Sequence, residues 1–143
     1  MTVTAKLVGV EALARKLEQQ ARKIGEKAAR GLKNGGDKLF EVAQYLVPTE
    51  TGLLASTGYV SSKGQGFQTV VTIGYTGAAE YTIRVHEDLT LRHGSTYNEY
   101  YADDIAKGLR TPRREQEQAK WLEDATALSI GTVLNEVKKE MKK

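Results

Sequence analysis

The sequence predicts a single α+β domain that spans residues 1–143. Its predicted parts are a long amphipathic N-terminal helix, an antiparallel β-meander of three to four strands, a tyrosine-rich insertion and a C-terminal helix packed on the sheet. Three observations carry this prediction: apolar residues recur every three or four positions over 11–46, alternate over 57–87, and recur with helical spacing again over 112–142. A chain of 143 residues has the size of one domain with a modest core.

The first helix is predicted over residues 11–46, and residues 1–8 alternate in a way that fits a short edge strand. One apolar stripe runs the length of the helix and would face a single partner surface. The stripe consists of Leu13, Leu17, Ala21, Ile24, Ala28, Leu32, Gly35, Leu39, Val42 and Leu46.

The pair Gly35-Gly36 interrupts this helix with two poor helix formers, which cost roughly 2 kcal/mol relative to alanines. The apolar stripe nevertheless continues in phase from Leu32 through Gly35 to Leu39. Two interpretations follow: a continuous or kinked helix whose glycines admit another backbone, or a break into two helices. The pair is also a candidate hinge that would let the N-terminal part reorient during assembly.

The stretch from Pro48 to Ser56 separates the helical part of the chain from the alternating part. Pro48 has no N–H and disfavours the α conformation at Val47, so it should end the helix. Gly52 permits a turn with positive φ, and the neighbouring side chains of Thr49, Glu50 and Thr51 can bond nearby N–H groups. By itself the pattern indicates an ordinary connection between a helix and a strand.

The residues after Ser56 predict strands. A hairpin is expected from strands at 59–62 and 67–75, joined by a turn containing Gly64 and Gly66. Val71, Ile73 and Tyr75 would share its apolar face. A third strand is expected from Tyr81 to Val85, with the two long helices covering the sheet.

Residues 88–111 fit no core element and form the tyrosine-rich insertion. A capping box at Thr96 would open a short helix that ends near Gly108. The insertion supplies a candidate subunit or partner interface, because tyrosines beside mixed charges are frequent at interfaces. Its residues are Tyr97, Tyr100, Tyr101 and Arg110. The alternative is that the tyrosines cap the open end of the sheet.

The last helix is predicted over 112–142, with Thr111 as N-cap and Pro112 at the first helical position. Trp121 is expected in the core, with Leu128 widening the buried stripe. The stripe itself consists of Leu122, Ala125, Ser129, Val133, Val137 and Met141.

Three stretches in this order resemble the small neck proteins of tailed bacteriophages, which are called minor capsid, head–tail joining or tail-completion proteins. The first is Pro48-Thr49-Glu50-Thr51-Gly52-Leu53 with Ser56 following, where Glu50 takes the position of the family's usual Asp. The second is the Val-His-Glu ending of 81–87, and the third is Ala-Lys-Trp-Leu-Glu at 119–123. Together these elements extend over most of the chain.

The resemblance implies a structural virion protein of the neck, assembled in the host bacterial cytoplasm, that joins or seals the head–tail interface. Its partners would be further copies of itself in a six- or twelve-fold ring, the head-closure and tail-terminator proteins, and, through non-specific contact, packaged DNA. Pro48, Gly52 and Leu53 would shape a turn on which the ring geometry depends, so the motif would be architectural.

Positive charge is concentrated on the first helix, where residues 11–40 include eight basic and four acidic residues, a net charge of +4. Arg15, Arg22, Lys23 and Arg30 are the candidate DNA-facing residues. The alternatives are a solvated helix face of mixed sign or a nucleic-acid-binding protein whose affinity falls steeply with salt. No aromatic residue lies between these charges, which argues against stacking on single strands.

Catalytic and membrane functions find little support in the sequence. The chain has no cysteine, and no phosphate-binding loop, nucleophile elbow or paired-histidine metal motif. On a strand, His86 and Glu87 would point to opposite sides of the sheet and could not share a metal ion. We expect no leader peptide, and no apolar run approaches the roughly 18 residues that are needed to span a bilayer. We therefore expect a non-enzyme without cofactor or metal; a small regulatory module, such as an antitoxin or enzyme inhibitor, is a further alternative.

Overall fold

The computed structural model describes residues 8–48, 52–77, 79–87, 98–109 and 120–143, and it combines helices with an antiparallel sheet. This confirms a mixed helix and sheet fold with long N- and C-terminal helices. The elements are α1 (Val10–Leu46), α2 (Leu53–Ser56), β1 (Gly58–Lys63), a 3-10 turn (Gly66–Gln68), β2 (Val70–Tyr75), α3 (Ala79–Glu87), α4 (Ala102–Ala106) and α5 (Trp121–Met141).

Helix α1 is continuous for 37 residues, about 55 Å, and includes Gly35 and Gly36. The alternative of two separate helices therefore does not hold. The helix begins after Gly9, which has a φ of 93°. The predicted edge strand lies in 1–8, of which residues 1–7 fall outside the described part of the chain.

Glycines on α1 allow helix α5 to approach at backbone distance. A Cβ on Gly31 would lie 2.5 Å from the Cα of Val137, and one on Gly35 would lie 2.8 Å from the Cα of Val133. Because the numbering falls along α5 as it rises along α1, the two helices are antiparallel. The interpretation that glycine admits another backbone is thus confirmed at Gly35.

The turn after α1 follows the prediction from Pro48 and Gly52. Helix α1 ends at Leu46, and Val47 is extended at φ −63° and ψ 135°. Gly52 adopts a φ of 71° and precedes α2, a single helical turn that the sequence pattern does not indicate. The chain then enters β1 at Gly58.

Strands β1 and β2 form a two-stranded antiparallel hairpin in which Gly58 pairs with Tyr75 and Lys63 with Val70. Gly64 and Gly66 both have positive φ, at 84° and 55°, as the turn chemistry predicts. One face of the hairpin packs on α1, where a Cβ on Gly36 would lie 2.6 Å from Cγ1 of Val71.

The predicted third strand, Tyr81 to Val85, is wrong: these residues belong to helix α3. Among the side chains of this helix that the structure describes, Thr82 and His86, four positions apart, are half-buried, whereas Ile83 is 63% exposed. His86 of this face packs against Trp121 of α5, and tertiary packing of this kind overrides the β preference of the residues. The meander predicted for 57–87 is a hairpin followed by a helix.

The C-terminal helix begins at Trp121, after Lys120 in a left-handed conformation (φ 57°), and not at Pro112. Thr111 and Pro112 lie outside the described ranges, as does Thr96. The helix packs along α1 and reaches the sheet where Trp121 meets Tyr75, with ring centroids 5.8 Å apart. The predicted packing of this helix on the sheet is observed only at Trp121, and its main partner is α1.

The core lies at one end of the α1–α5 pair. It consists of Ala43, Leu46, Val47, Leu54, Trp121 and Ala125, all buried. The stripe predicted for α5 is buried or half-buried from Trp121 to Val137, but Met141 is 41% exposed and Leu128, expected to widen it, is 70% exposed. In the part of the chain described, no helix has both the length and the apolar character needed to cross a bilayer.

Candidate functional site

The first of the three motif stretches lies directly on the core. Val47 and Pro48 are buried, and Leu54 is only 3% exposed. Leu53, expected to shape the turn, is 65% exposed, so the apolar anchor of this stretch is Leu54. Ser56 closes the single turn of α2 by donating from Oγ to the carbonyl oxygen of Leu53 at 2.7 Å.

The other two stretches meet each other on the same core. The imidazole of His86 lies edge-to-face against the indole of Trp121, with ring centroids 4.6 Å apart. The amide of Lys120 donates to the carbonyl oxygen of His86 at 2.7 Å. Because Trp121 also belongs to the cluster that includes Val47 and Leu54, all three stretches come together at one place. We call this place the motif junction.

Charged side chains close the exposed rim of the motif junction. The ammonium group of Lys120 binds the carboxylate of Glu87 and lies 3.3 Å from Oε1 of Glu123. Nδ1 of His86 lies 2.7 Å from Oε1 of Glu87. The hydrogen bond from Lys120, and secondly the one from His86, lowers the pKa of Glu87. The bond to Glu87 in turn raises the pKa of Lys120.

The inner side of the motif junction contains polar atoms with no hydrogen-bond partner among the described residues, namely Nε2 of His86 and Nε1 of Trp121. His86 and Glu87 contact each other from a helix, so the reasoning that placed them on opposite sides of a strand does not apply. In the ranges described, no group of three or more histidine, aspartate or glutamate side chains is arranged to hold a metal ion. The contacts that the structure does show at the junction are ring packing and ion pairs.

A second ionic cluster fixes the far end of the α1–α5 pair. Nε of Arg30 lies 3.4 Å from Oε2 of Glu140, which is 5% exposed, and Lys143 binds the same carboxylate. The bond from Lys143, and secondly that from Arg30, lowers the pKa of Glu140. Arg30, one of the candidate DNA-facing residues, is thus engaged with α5.

The remaining candidate DNA-facing residues, Arg15, Arg22 and Lys23, are exposed on α1. A groove of about 890 Å³ runs beside Arg22 between α1 and the turn of the hairpin, and glutamates line it as well as basic residues. Its carboxylates are Glu18 and Glu26. Alternation of sign along a helix face is typical of a solvent-exposed helix with salt bridges rather than of a surface that follows phosphates.

The candidate interface of the insertion is described in part. Tyr100 is 61% exposed and packs edge-on against Tyr101, with ring centroids 4.7 Å apart. Gly108, at the predicted end of the short helix, has a φ of 72°. Tyr97 and Arg110 lie outside the described residues, as do Glu50 and Thr51 of the first motif.

Sequence reasoning missed a second apolar row on α5, which is exposed and lies beside the face that contacts α1. Ile130 and Leu134 are 54% and 53% exposed there, and Met141 continues the same row. The signal was present in the spacing of Ala127, Ile130, Leu134 and Met141, which is that of one helix face. A row of exposed apolar residues on one helix face is typical of a surface that binds another protein.

No protein-family model, curated protein or solved structure matches the chain.

Proposed function

We propose that this protein is a structural component of the neck of a tailed bacteriophage, a head–tail connector or tail-completion protein that assembles as a ring of six or twelve copies. One observation carries the proposal: the three sequence stretches that resemble the family meet at the motif junction, where Leu54, His86 and Trp121 lie on one core. Motifs that hold a common core together have an architectural rather than a catalytic role.

Surfaces suited to ring contacts support the proposal. Within the described ranges neither strand of the hairpin has a second neighbouring strand, so each offers main-chain groups to a neighbouring subunit. The outer stripe of α5, with Ile130 and Leu134, offers an apolar face. Tyr100 adds an exposed aromatic ring at the insertion. In the ring, these surfaces would contact further copies and the head-closure and tail-terminator proteins.

Electron microscopy of lysates tests the proposal in a phage or prophage that carries a deletion of this gene. We expect DNA-filled heads lying separate from complete tails, with virions restored by the wild-type gene supplied in trans. The variant Leu134→Lys should fail to restore virions because it places a charge in the outer apolar stripe. Asn135→Lys adds the same charge at an adjacent exposed position outside the stripe and should restore them.

Normal virions in normal numbers from the deletion would overturn the neck assignment. The alternative, nucleic-acid binding by the exposed basic residues Arg15, Arg22 and Lys23, predicts an affinity for duplex DNA that falls steeply between 50 and 200 mM salt, by about a thousandfold or more for six or more phosphate contacts. The alternation of these residues with glutamates favours the neck protein.

A further inference from the structure

One side of α1 carries only basic and amide side chains over about six turns. The residues at positions 16, 20, 23, 27, 30, 34 and 38 follow one another at intervals of three or four, so they share one face of the helix. They are Lys16, Gln20, Lys23, Lys27, Arg30, Asn34 and Lys38. We call them the basic row, and its ends lie about 33 Å apart along the helix axis.

The basic row faces away from the hairpin and lies beside α5. Gly25 and Gly36, which contact the hairpin, lie about 140–160° round the helix from Lys23. Gly31, which contacts α5, lies about 80° from Lys23. Every residue of the row is exposed except Lys27, which is half-buried. The described part of the chain therefore leaves this face open to a partner along its whole length.

The lysines of the basic row are not neutralised by carboxylates. None of the four forms an ion pair with a described residue. The nearest carboxylates of α1 lie to one side, since Glu26 and Asp37 are about 60° and 40° round the helix from Lys23, on the side away from α5. Glu41 is the first acidic residue on the line of the row and lies beyond Lys38. The row itself therefore contains no acidic residue.

The C-terminal end of α5 adds a second cation beside Arg30. The carboxylate of Glu140 is bound by both Arg30 and Lys143. The side chains of Arg30 and Lys143 are 54% and 59% exposed, so neither charge is shielded from solvent. Because two cations share one carboxylate, this cluster keeps a net charge of +1, which adds to the charges of the four lysines.

The composition of the basic row identifies the partner. Interfaces between proteins centre on apolar and aromatic side chains and are poor in lysine, whereas the row has four lysines and no apolar residue. Lysine, arginine, asparagine and glutamine are side chains that contact nucleic-acid phosphates. No aromatic residue lies in the row for stacking on unpaired bases, so a double strand fits it better than a single strand.

The length of the basic row also fits a duplex. Its length of about 33 Å corresponds to one helical turn of DNA, which is about 34–36 Å. Duplex DNA carries one phosphate charge per about 1.7 Å of its axis, so a straight row of this length lies near several phosphates in any register. Contacts of this kind neutralise charge but do not read bases.

We propose that the basic row binds the phosphate backbone of duplex DNA without sequence preference. Two of the candidate DNA-facing residues, Lys23 and Arg30, belong to the row. The other two, Arg15 and Arg22, lie about 80–100° round the helix from Lys23, on the side where glutamates alternate with them. The binding goes beyond the neck function and does not depend on it, because it is a property of the purified chain.

Fluorescence anisotropy of a labelled duplex of about 20 base pairs, titrated with the full chain, tests the proposal. With about four or five phosphate contacts, the logarithm of the affinity should fall with the logarithm of the salt concentration at a slope of about −4. The dissociation constant should therefore rise by roughly a hundredfold or more between about 50 and 200 mM salt. Two duplexes of unrelated sequence should bind within about threefold of each other, since phosphate contacts carry no sequence information.

Two triple variants with the same change of charge locate the contact on α1. The row variant combines Lys16→Gln, Lys27→Gln and Lys38→Gln. The control variant combines three exposed residues that lie about 80–100° round the helix from the row, Arg15→Gln, Arg22→Gln and Lys33→Gln. The row variant should bind at least about thirtyfold more weakly at 100 mM salt, with a slope shallower by about 2.7, because it loses three phosphate contacts. The control variant should bind less than about threefold more weakly, because salt screens charges that do not touch the duplex.

Circular dichroism should show both variants folded like the wild type. If Lys27→Gln alters the fold, the pair Lys16→Gln and Lys38→Gln, both at exposed positions, should still weaken binding at least about tenfold. Equal losses in the row variant and the control variant would show that net charge, and not the row, attracts DNA, and would overturn the proposal. A duplex left unbound at about 50 μM protein in about 50 mM salt would also overturn it. Binding of polyglutamate in its place would identify the partner as an acidic protein.

Discussion

The imidazole of His86 packs edge-on against the indole of Trp121, with ring centroids 4.6 Å apart. The main-chain N–H of the neighbouring Lys120 donates a hydrogen bond to the carbonyl oxygen of His86. Helix α3 is therefore held to the start of α5 by both side chains and backbone. Trp121 connects this contact to the core of α1 and α2, so its ring is the central element of the motif junction.

Truncating Trp121 should be the most damaging single change in the core. The side chain is 1% exposed, and we expect Trp121→Ala to reduce the free energy of unfolding by about 3–5 kcal/mol, through lost transfer energy and the cavity left behind. Urea unfolding followed by circular dichroism measures this. Leu128→Ala on the same helix is the control, because Leu128 is 70% exposed and should change stability by no more than about 0.5 kcal/mol. Equal losses would show that Trp121 does not anchor the core.

Substituting alanine for glycine should have opposite effects at two positions. A Cβ at Gly31 would lie 2.5 Å from the Cα of Val137, so Gly31→Ala must push the helices apart and should destabilise by about 1–3 kcal/mol. A Cβ at Gly131 on α5 would meet nothing within 4 Å, so Gly131→Ala should stabilise by about 0.5–1 kcal/mol through helix propensity alone. Melting temperatures from thermal unfolding of both variants test these opposite effects. A higher melting temperature for Gly31→Ala would contradict the close approach of the two backbones.

The turn of the first motif should depend on the backbone conformation of Gly52 and not on its lack of volume. Gly52 has a φ of 71°, and a Cβ there would meet nothing within 4 Å. Gly52→Ala should therefore cost about 1–2 kcal/mol from the left-handed conformation. Gly52→Asn should cost less, because asparagine tolerates that conformation better than alanine does. Chemical unfolding compares the two variants; equal costs would argue against conformational strain.

Acid should remove the contribution of Glu140 to stability. Its bonds to Lys143 and Arg30 hold its pKa below the ordinary value of 4.5. Its stabilising effect is therefore fully present above pH 4.5 and is lost as the pH falls through the folded-state value. The difference in melting temperature between the wild type and Glu140→Gln should be largest near pH 7 and shrink below pH 4.5.

A control for this acid effect is Glu41→Gln, at an exposed position of α1. Its melting temperature should stay close to that of the wild type across the same pH range. If the Glu140→Gln difference stayed constant down to pH 3, protonation of Glu140 would not be the cause.

The sequence predicted correctly the helix end and the turns, whose conformations depend on a single residue and its neighbours in the chain. Pro48 placed the end of α1, Gly52 supplied the positive φ, and Gly64 and Gly66 marked the hairpin turn, because each effect depends only on the residue and its immediate neighbours. The continuous apolar phase through Gly35 was compatible with one helix, but a break into two helices stayed open until the structure showed a single helix.

The elements that the sequence predicted wrongly depend on contacts between residues that are distant in the chain. The apolar alternation from Tyr81 to Val85 is too short to distinguish a strand from a helix. The helix forms because it buries Thr82 and His86 in part on the same side. The start of α5 depends on a left-handed Lys120, which no local signal marks.

The ion pairs of the site were beyond prediction for the same reason. Glu87 and Lys120 are 33 positions apart, and Arg30 and Glu140 are 110 apart. Two residues so far apart in the chain form a pair only once the helices have been placed, so charge counting along the sequence could not identify either pair.

The hairpin should give an alternating pattern of slow and fast amide hydrogen exchange. The described part of the chain places no other strand beside β1 or β2, so about every second main-chain N–H along each strand points away from the ladder and should exchange readily with water. Isolated protein should show alternating slow and fast amides from Gly58 to Lys63 and again from Val70 to Tyr75. Any strand that joins an edge would slow the fast set of that edge alone, so exchange would reveal which edge is used, residue by residue.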